Sequence, residues 1–236
     1  MTQMTSLRDD YRALVIGASG GIGGAIVVAL EADPRCGGVL RLSRRNDPGF
    51  DLMDEASIAG AAARIAAETD GLDLIFNATG ALTIEGVGPE KALKGIDPQA
   101  MLRQFALNAV GPALLLKHFA PLMPRDRRGL FASLSARVGS IGDNHLGGWI
   151  SYRAAKAAQN QIMRTAAIEI ARTRPLAVVA ALHPGTVETG LSVGYRGNHA
   201  AVPASEAAAN LLGVLNALPP EKTGGFFACD GSAIEW

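Results

Sequence analysis

Tyr152 and Lys156 stand four residues apart in "SYRAAKAAQNQI". In a helix, positions i and i+4 lie one turn apart on the same face. A phenol beside an amine is either ordinary decoration of an amphipathic helix or a proton donor with its tuner. Both readings stand on the pair alone. Other residue types that can do chemistry lie on both sides of it. A glycine cluster occurs in "VIGASGGIGGAI", serines in "ASLSARVGSIG", and a lone amide, Asn108, interrupts the apolar stretch "FALNAVG".

The glycine cluster indicates a ligand. Gly17, Gly21 and Gly23 follow the pattern G-x-x-x-G-x-G between an apolar run and a helical pattern. Glycine permits a sharp turn and a close backbone approach to a pyrophosphate. The helix that follows offers unpaired N–H groups and partial positive charge. A dinucleotide is expected. The next apolar run ends "RLSRRND", with Ser43 where an acidic residue would hold ribose hydroxyls, and Arg44 beside it. A guanidinium fork matches phosphate oxygens, which a carboxylate would repel. NADP(H) is therefore favoured, and Asp47 keeps NAD(H) possible through a ribose contact.

These groups need a scaffold, and the chain spells one out. Strands are predicted at 13–18, 38–43, 72–78, 129–135, 176–183 and 224–230. Helices are predicted near 22–32, 55–69, 98–122, 148–172 and 205–218. Continuous apolar strands separated by helices imply a parallel sheet covered on both faces. The expectation is a three-layer, doubly wound α/β fold of Rossmann type, with residues 1–236 as a single NAD(P)-binding domain. The segments 84–98 and 191–203 read as loops after strands, where open α/β sheets bind ligands.

Composition narrows the classes of function. Hydrophobic residues make up 48% of the 236 and charged residues 19%, and 22 basic residues balance 22 acidic ones. No bulk field argues for nucleic acid or membrane surface. Cys36 and Cys229 have no disulfide or metal spacing, so no metal is expected and a reducing, cytoplasmic setting is. No signal peptide is expected in "MTQMTSLRDD", and "FALNAVGPALLLKHFAPLM" reads as a buried helix. Met101, Met123 and Met163 read as core filler.

Taken together, the glycine spacing, "NATG" (77–80), Asn108 and Y-x-x-x-K resemble the short-chain dehydrogenase/reductase family over nearly the whole chain. "HPGTVETGL" is similar to the Pro-Gly segment after that family's sixth strand. "SARVGSIGDNHLGGWISYRAAK" and the ending "DGSAIEW" are most similar to its sniffer/C-factor-like carbonyl reductase branch. The resemblance implies that Gly17, Ser19, Gly21 and Ile22 line the pyrophosphate and ribose, and that Asp51 and Leu52 meet the adenine. It implies Asn77, Ala78 and Gly80 beneath the adenosine ribose, and Pro184, Gly185, Val187 and Thr189 at the nicotinamide end. Two departures stand out: Ile16 replaces the usual threonine, and Phe76 precedes a single Asn77.

The implied chemistry is hydride transfer between NADP(H) and a small carbonyl or alcohol. Hydride addition puts negative charge on oxygen, so a proton donor must stand beside it. Tyrosine's ordinary pKa is about 10. A charged Lys156 is expected to lower it, by about 3 units or roughly 4 kcal/mol, and Lys156 would also hold the nicotinamide ribose. Ser135 is expected to orient the substrate oxygen, with Ser140 as the fallback. A gapless comparison with the family puts its usual serine at Ala136. Asn108 would either make a structural hydrogen bond or kink its helix around a water that relays protons to Lys156. His145 and Trp149 would either shape the substrate pocket or serve in turns and packing, and Tyr195, Arg196 and His199 would flank the pocket, whereas His183 is expected to be satisfied locally. The resemblance also suits a homodimer or homotetramer. A cofactor-binding sensor or signalling protein with vestigial catalysis is the competing reading.

Overall fold

The computed structural model describes residues 2–190 and 201–236. Six strands form one parallel sheet: β1 (Tyr11–Ile16), β2 (Cys36–Leu42), β3 (Leu74–Asn77), β4 (Gly129–Leu134), β5 (Ala177–His183) and β6 (Gly225–Ala228). Their order is β2-β1-β3-β4-β5-β6, with every adjacent pair parallel. The direction of winding reverses between β1 and β3, which opens a crevice at their carboxyl ends. Pro184 and Gly185 follow the fifth strand here, not the sixth.

The four inner strands are largely apolar and buried because helices cover both faces, whereas the edge strand β2 is only partly buried. The six helices are α1 (Gly21–Glu31), α2 (Glu55–Glu68), α3 (Pro98–Phe105), α4 (Gly111–Phe119), α5 (Ile150–Ala171) and α6 (Ala204–Ala217). Alternate residues of a strand point to opposite faces. Thus Ala13 and Val15 join Ile26 and Leu30 of α1 and Leu211 of α6. Leu14 and Ile16 join Ile58 of α2, Leu115 of α4 and Met163 of α5. Met123 also lies in that second core, whereas Met101 stays half-buried outside it.

The long helix predicted over 98–122 is broken. Between α3 and α4 the residues Ala106–Val110 form a π-turn, with the Gly111 N–H donating to the Ala106 carbonyl. By length and composition Pro98–Leu122 could cross a membrane, but Leu115 and Phe119 are packed into the core. The segment 84–97 is loop apart from a short 3-10 turn, Leu93–Gly95.

Candidate active site

The first strand and first helix meet at the glycine cluster. Gly17 has φ +85°, and a Cβ there would sit 2.9 Å from the Ala78 carbonyl carbon. At Gly23 a Cβ would lie 2.2 Å from the Gly17 oxygen, which keeps the helix start pressed on the turn. The amino end of α1, at Gly20, has no side-chain cap. First-turn N–H groups without a cap favour an anion.

From this turn a cleft runs along the sheet edge in two lobes. The first, with a cavity volume of about 400 Å³, is lined in part by Gly17, Ser19, Ser43, Arg44, Asp51 and Leu52. The second, of about 370 Å³, takes in Gly21, Ile22, Ser135, Tyr152, Lys156, Pro184 and Thr189. Ala78, Thr79 and Gly80 border both lobes. Four expected residues stand behind these walls. Asn77 is fully buried and donates to Ser133 Oγ at 2.8 Å. Gly185, at φ +74°, backs onto the Cys229 sulfur, Val187 is buried, and the Asn108 side chain faces a neighbouring loop. Tyr195, Arg196 and His199 lie outside the described residues.

At the end of β2, Arg44 is exposed and has no ion-pair or hydrogen-bond partner among the described residues. Asp47, the acid that could have reached a ribose, is instead ion-paired to Arg64 of α2. Ser43 Oγ donates to Asn46 Oδ1 at 2.5 Å, closing a small turn. The lobe thus has an unpaired guanidinium at the end of β2 and no free carboxylate at Asp47.

Tyr152 and Lys156 lie on the inner face of α5, 8% and 3% exposed. The amine stands 5.8 Å over the centre of the phenol ring. Its hydrogen bonds go to the Leu134 carbonyl at 3.2 Å and to Gln159 Oε1 at 2.8 Å. The expected tuning is reversed in this environment. Burial raises the phenol above its ordinary value and lowers the Lys156 amine to about 7. Both groups lose hydration that would stabilise their charged forms, and no counter-charge among the described residues replaces it.

Ser135 borders the second lobe, and its Oγ donates to Asn160 Oδ1 at 2.6 Å. Asn160 in turn donates to the Gly139 carbonyl, so this amide faces the serine with its acceptor. To donate to a substrate oxygen, the Ser135 hydroxyl must leave Asn160. Ser140 is turned away and accepts from the Asp143 N–H at 3.1 Å. Neither Ser140 nor Ala136 borders the lobe.

Asn108 clips two segments together. Its Nδ2 donates to the Ala81 carbonyl at 2.9 Å and to Gln104 Oε1 at 2.7 Å, while its Oδ1 accepts from the Ala81 N–H. The structural hydrogen bond is therefore present, and the helix distortion takes the form of the π-turn. Gly80 is squeezed between this amide and the lysine: a Cβ there would lie 3.1 Å from Asn108 Oδ1 and 3.3 Å from Lys156 Nζ.

The start of α5 is held from outside. Gly147, Gly148 and Trp149 are all left-handed, at φ +64°, +66° and +53°. Arg153 holds this turn by donating to the Gly147, Gly148 and Val138 carbonyls. Glu90 Oε1 accepts from the Ser151 N–H at 2.7 Å and from its hydroxyl, which caps the helix from a loop. The Trp149 ring meets the Tyr152 ring edge-on, with centroids 6.5 Å apart. His145 is exposed. His183 departs from expectation: its Nδ1 is buried with no hydrogen-bond partner among the described residues, and burial lowers its pKa to about 4.

A Rossmann-type crevice with this tyrosine–lysine helix beside a glycine turn is the arrangement of an oxidoreductase family. A family model, short chain dehydrogenase, matches residues 11–199, and the chain belongs to that family. It is 31% identical over 190 residues to 1-hydroxy-2-glutathionyl-2-methyl-3-butene dehydrogenase of Rhodococcus sp. (strain AD45), covering 80% of each chain. It is 34% identical over 149 residues to C-signal of Myxococcus xanthus, covering 61% of this chain and 84% of that protein. Among solved structures, the NADPH-bound carbonyl reductase from chicken fatty liver superposes with a TM-score of 0.85 at 25% identity, over 99% of this chain and 96% of that one. The carbonyl reductase Sniffer of D. melanogaster shares the fold at a TM-score of 0.81 and 23% identity, over 97% and 100% of the two chains.

Proposed function

We propose that the protein transfers hydride between NADP(H) and a small carbonyl or alcohol, with Tyr152 as the general acid and base. The observation that carries this reading is that Tyr152, Lys156 and Ser135 border one lobe of a cleft whose other lobe ends at Arg44. The residues fit a dinucleotide. The Gly17 turn has no room for a side chain, the amino end of α1 has no side-chain cap, and Arg44 offers an unpaired fork for a ribose phosphate. When bound, the cofactor supplies or accepts hydride.

The chain's own groups handle the proton. The Tyr152 O–H donates to the carbonyl oxygen as negative charge builds there, and the Lys156 ammonium stabilises the phenolate left behind. Ser135, released from Asn160, orients the substrate oxygen. Asn108 holds the loop beneath Gly80, and its π-turn supports a water relay to Lys156. Trp149 packs edge-on against the Tyr152 ring and would shape the substrate side of the pocket from there.

Assembly as a homodimer or homotetramer through the long helices, in the cytoplasm, completes the proposal. It is supported by an open groove lined by Leu116 of α4 and by Ile162 and Ala166 of α5, and by two free cysteines. The competing signalling role draws on the likeness to C-signal and on the commitment of Ser135 to Asn160. A panel of aldehydes, ketones and quinones, assayed by NADPH consumption alongside cofactor-fluorescence titration, separates the two. Turnover supports the reductase. Tight NADPH binding with no turnover on any of the panel supports the sensor.

A further inference from the structure

Lys156 has a partner that this chemistry does not use. Gln159 lies three residues further along α5 and is fully buried. Its Nε2 donates to Ser133 Oγ at 2.8 Å and to the Leu134 carbonyl at 3.0 Å. A carbonyl can only accept, so the amide's NH2 must face β4 and its oxygen must face the amine. The chain of constraints continues outward. Ser133 Oγ also accepts from Asn77 Nδ2, and Asn77 Oδ1 accepts from the Thr79 N–H and hydroxyl. Exchanging either amide end for end would set an NH2 against a donor. The acceptor offered to Lys156 is thus fixed by four residues that run to the cofactor lobe.

Among the described residues, no carboxylate faces the amine. β4 presents Ser133 and the Leu134 carbonyl, the neighbouring loop presents Gly80, and the π-turn presents the Asn108 amide. Charged groups on the packed elements turn elsewhere. Arg103 of α3 goes to Glu85, Lys117 and His118 of α4 go to Glu55, and Arg137 of the adjoining turn goes to Asp143. At the end of β5, His183 is held neutral by burial. Among the described residues, the Tyr152 phenol is the titratable group that faces the amine. Burial lowers the amine's pKa.

We propose that Gln159 is a positioning residue for Lys156, its amide oxygen being the acceptor that keeps the amine charged beside Tyr152 in a site without a counter-ion. An acceptor stabilises ammonium more than neutral amine. Its consequence for turnover rests on the oxidoreductase reading; its effect on the lysine does not.

The test is a carbon-13 NMR titration of the full chain labelled at lysine Cε. The chain has five lysines; Lys91, Lys94, Lys117 and Lys222 are exposed, and Lys156→Arg assigns the remaining signal. Gln159→Leu should lower the Lys156 midpoint by about one unit or more. Gln159→Glu, which supplies a carboxylate, should raise it by a similar amount. Near-UV circular dichroism of each variant establishes that its packing is native. A midpoint that stays put in folded Gln159→Leu, or that moves in the same direction in both variants, overturns the proposal. Should Gln159→Leu not fold, Gln159→Glu decides: a rise supports the proposal, and no change or a fall overturns it. In active enzyme the pH limb of turnover should move with the midpoint. If the wild type reduces no carbonyl while the midpoints shift as stated, the oxidoreductase reading fails and Gln159's role stands. If turnover is present and the midpoints do not move, only the role of Gln159 fails.

Discussion

The Tyr152 phenol and the Lys156 amine are driven in opposite directions by the same burial, the first upward and the second to about 7. A buried phenol holds its proton until charge develops on a neighbouring oxygen, which suits a donor in carbonyl reduction. The ammonium that would stabilise the resulting phenolate is lost as pH rises. We therefore expect kcat/KM for reduction to fall as pH increases through about 7; a profile that rises across that range would contradict the assignment of Lys156. Arg44 carries the second prediction at this scale. Removing a charge-assisted hydrogen bond typically costs about 1.5–3 kcal/mol, so Arg44→Ala should weaken NADPH binding roughly ten- to hundredfold. NADH binding, measured by the same fluorescence titration, should change little.

At the scale of the element, α5 depends on a residue far from it in sequence. Trp149 at the head of the helix supplies no side-chain cap, and Glu90 does so across 61 residues. Glu90→Ala should cost about 1 kcal/mol, visible as a lower denaturant midpoint, and should reduce turnover because Tyr152 follows Ser151 directly. The sequence made the strands, the helices and the glycine turn legible, because apolar runs and glycine spacing are local signals. It did not show the Glu90 cap, which needs two distant segments to be brought together. The resemblance points to a helix distortion at Asn108, but its π form, which accompanies the amide's double hydrogen bond to Ala81, is not readable from spacing. Gln159 carries a signal in the sequence, an amide three residues beyond Lys156 on the same helix face, but its role needs the contacts to β4. The pKa shifts run opposite to the expected tuning because spacing along a helix reports proximity and says nothing about dehydration.

Across the whole molecule, the buried lysine couples the site to stability. Its folded pKa, about 7, lies below the ordinary 10.5. Between those values the unfolded chain binds a proton that the folded chain does not, so the contribution of Lys156 to stability rises with pH. The penalty is full below pH 7 and is relieved progressively above it. In denaturant unfolding, wild type should therefore gain on Lys156→Met by about 1 kcal/mol per pH unit from pH 7 to 9. A constant difference would mean that the amine is solvated. The proposed reaction depends on the Tyr152 phenol as proton donor to a substrate reduced by NADPH. The most direct measurement compares wild type and Tyr152→Phe in single-turnover reduction of an accepted carbonyl, with NADPH affinity determined in parallel. We predict a loss of about 10²–10⁴-fold in the rate with cofactor affinity retained; equal rates in the two proteins would contradict it.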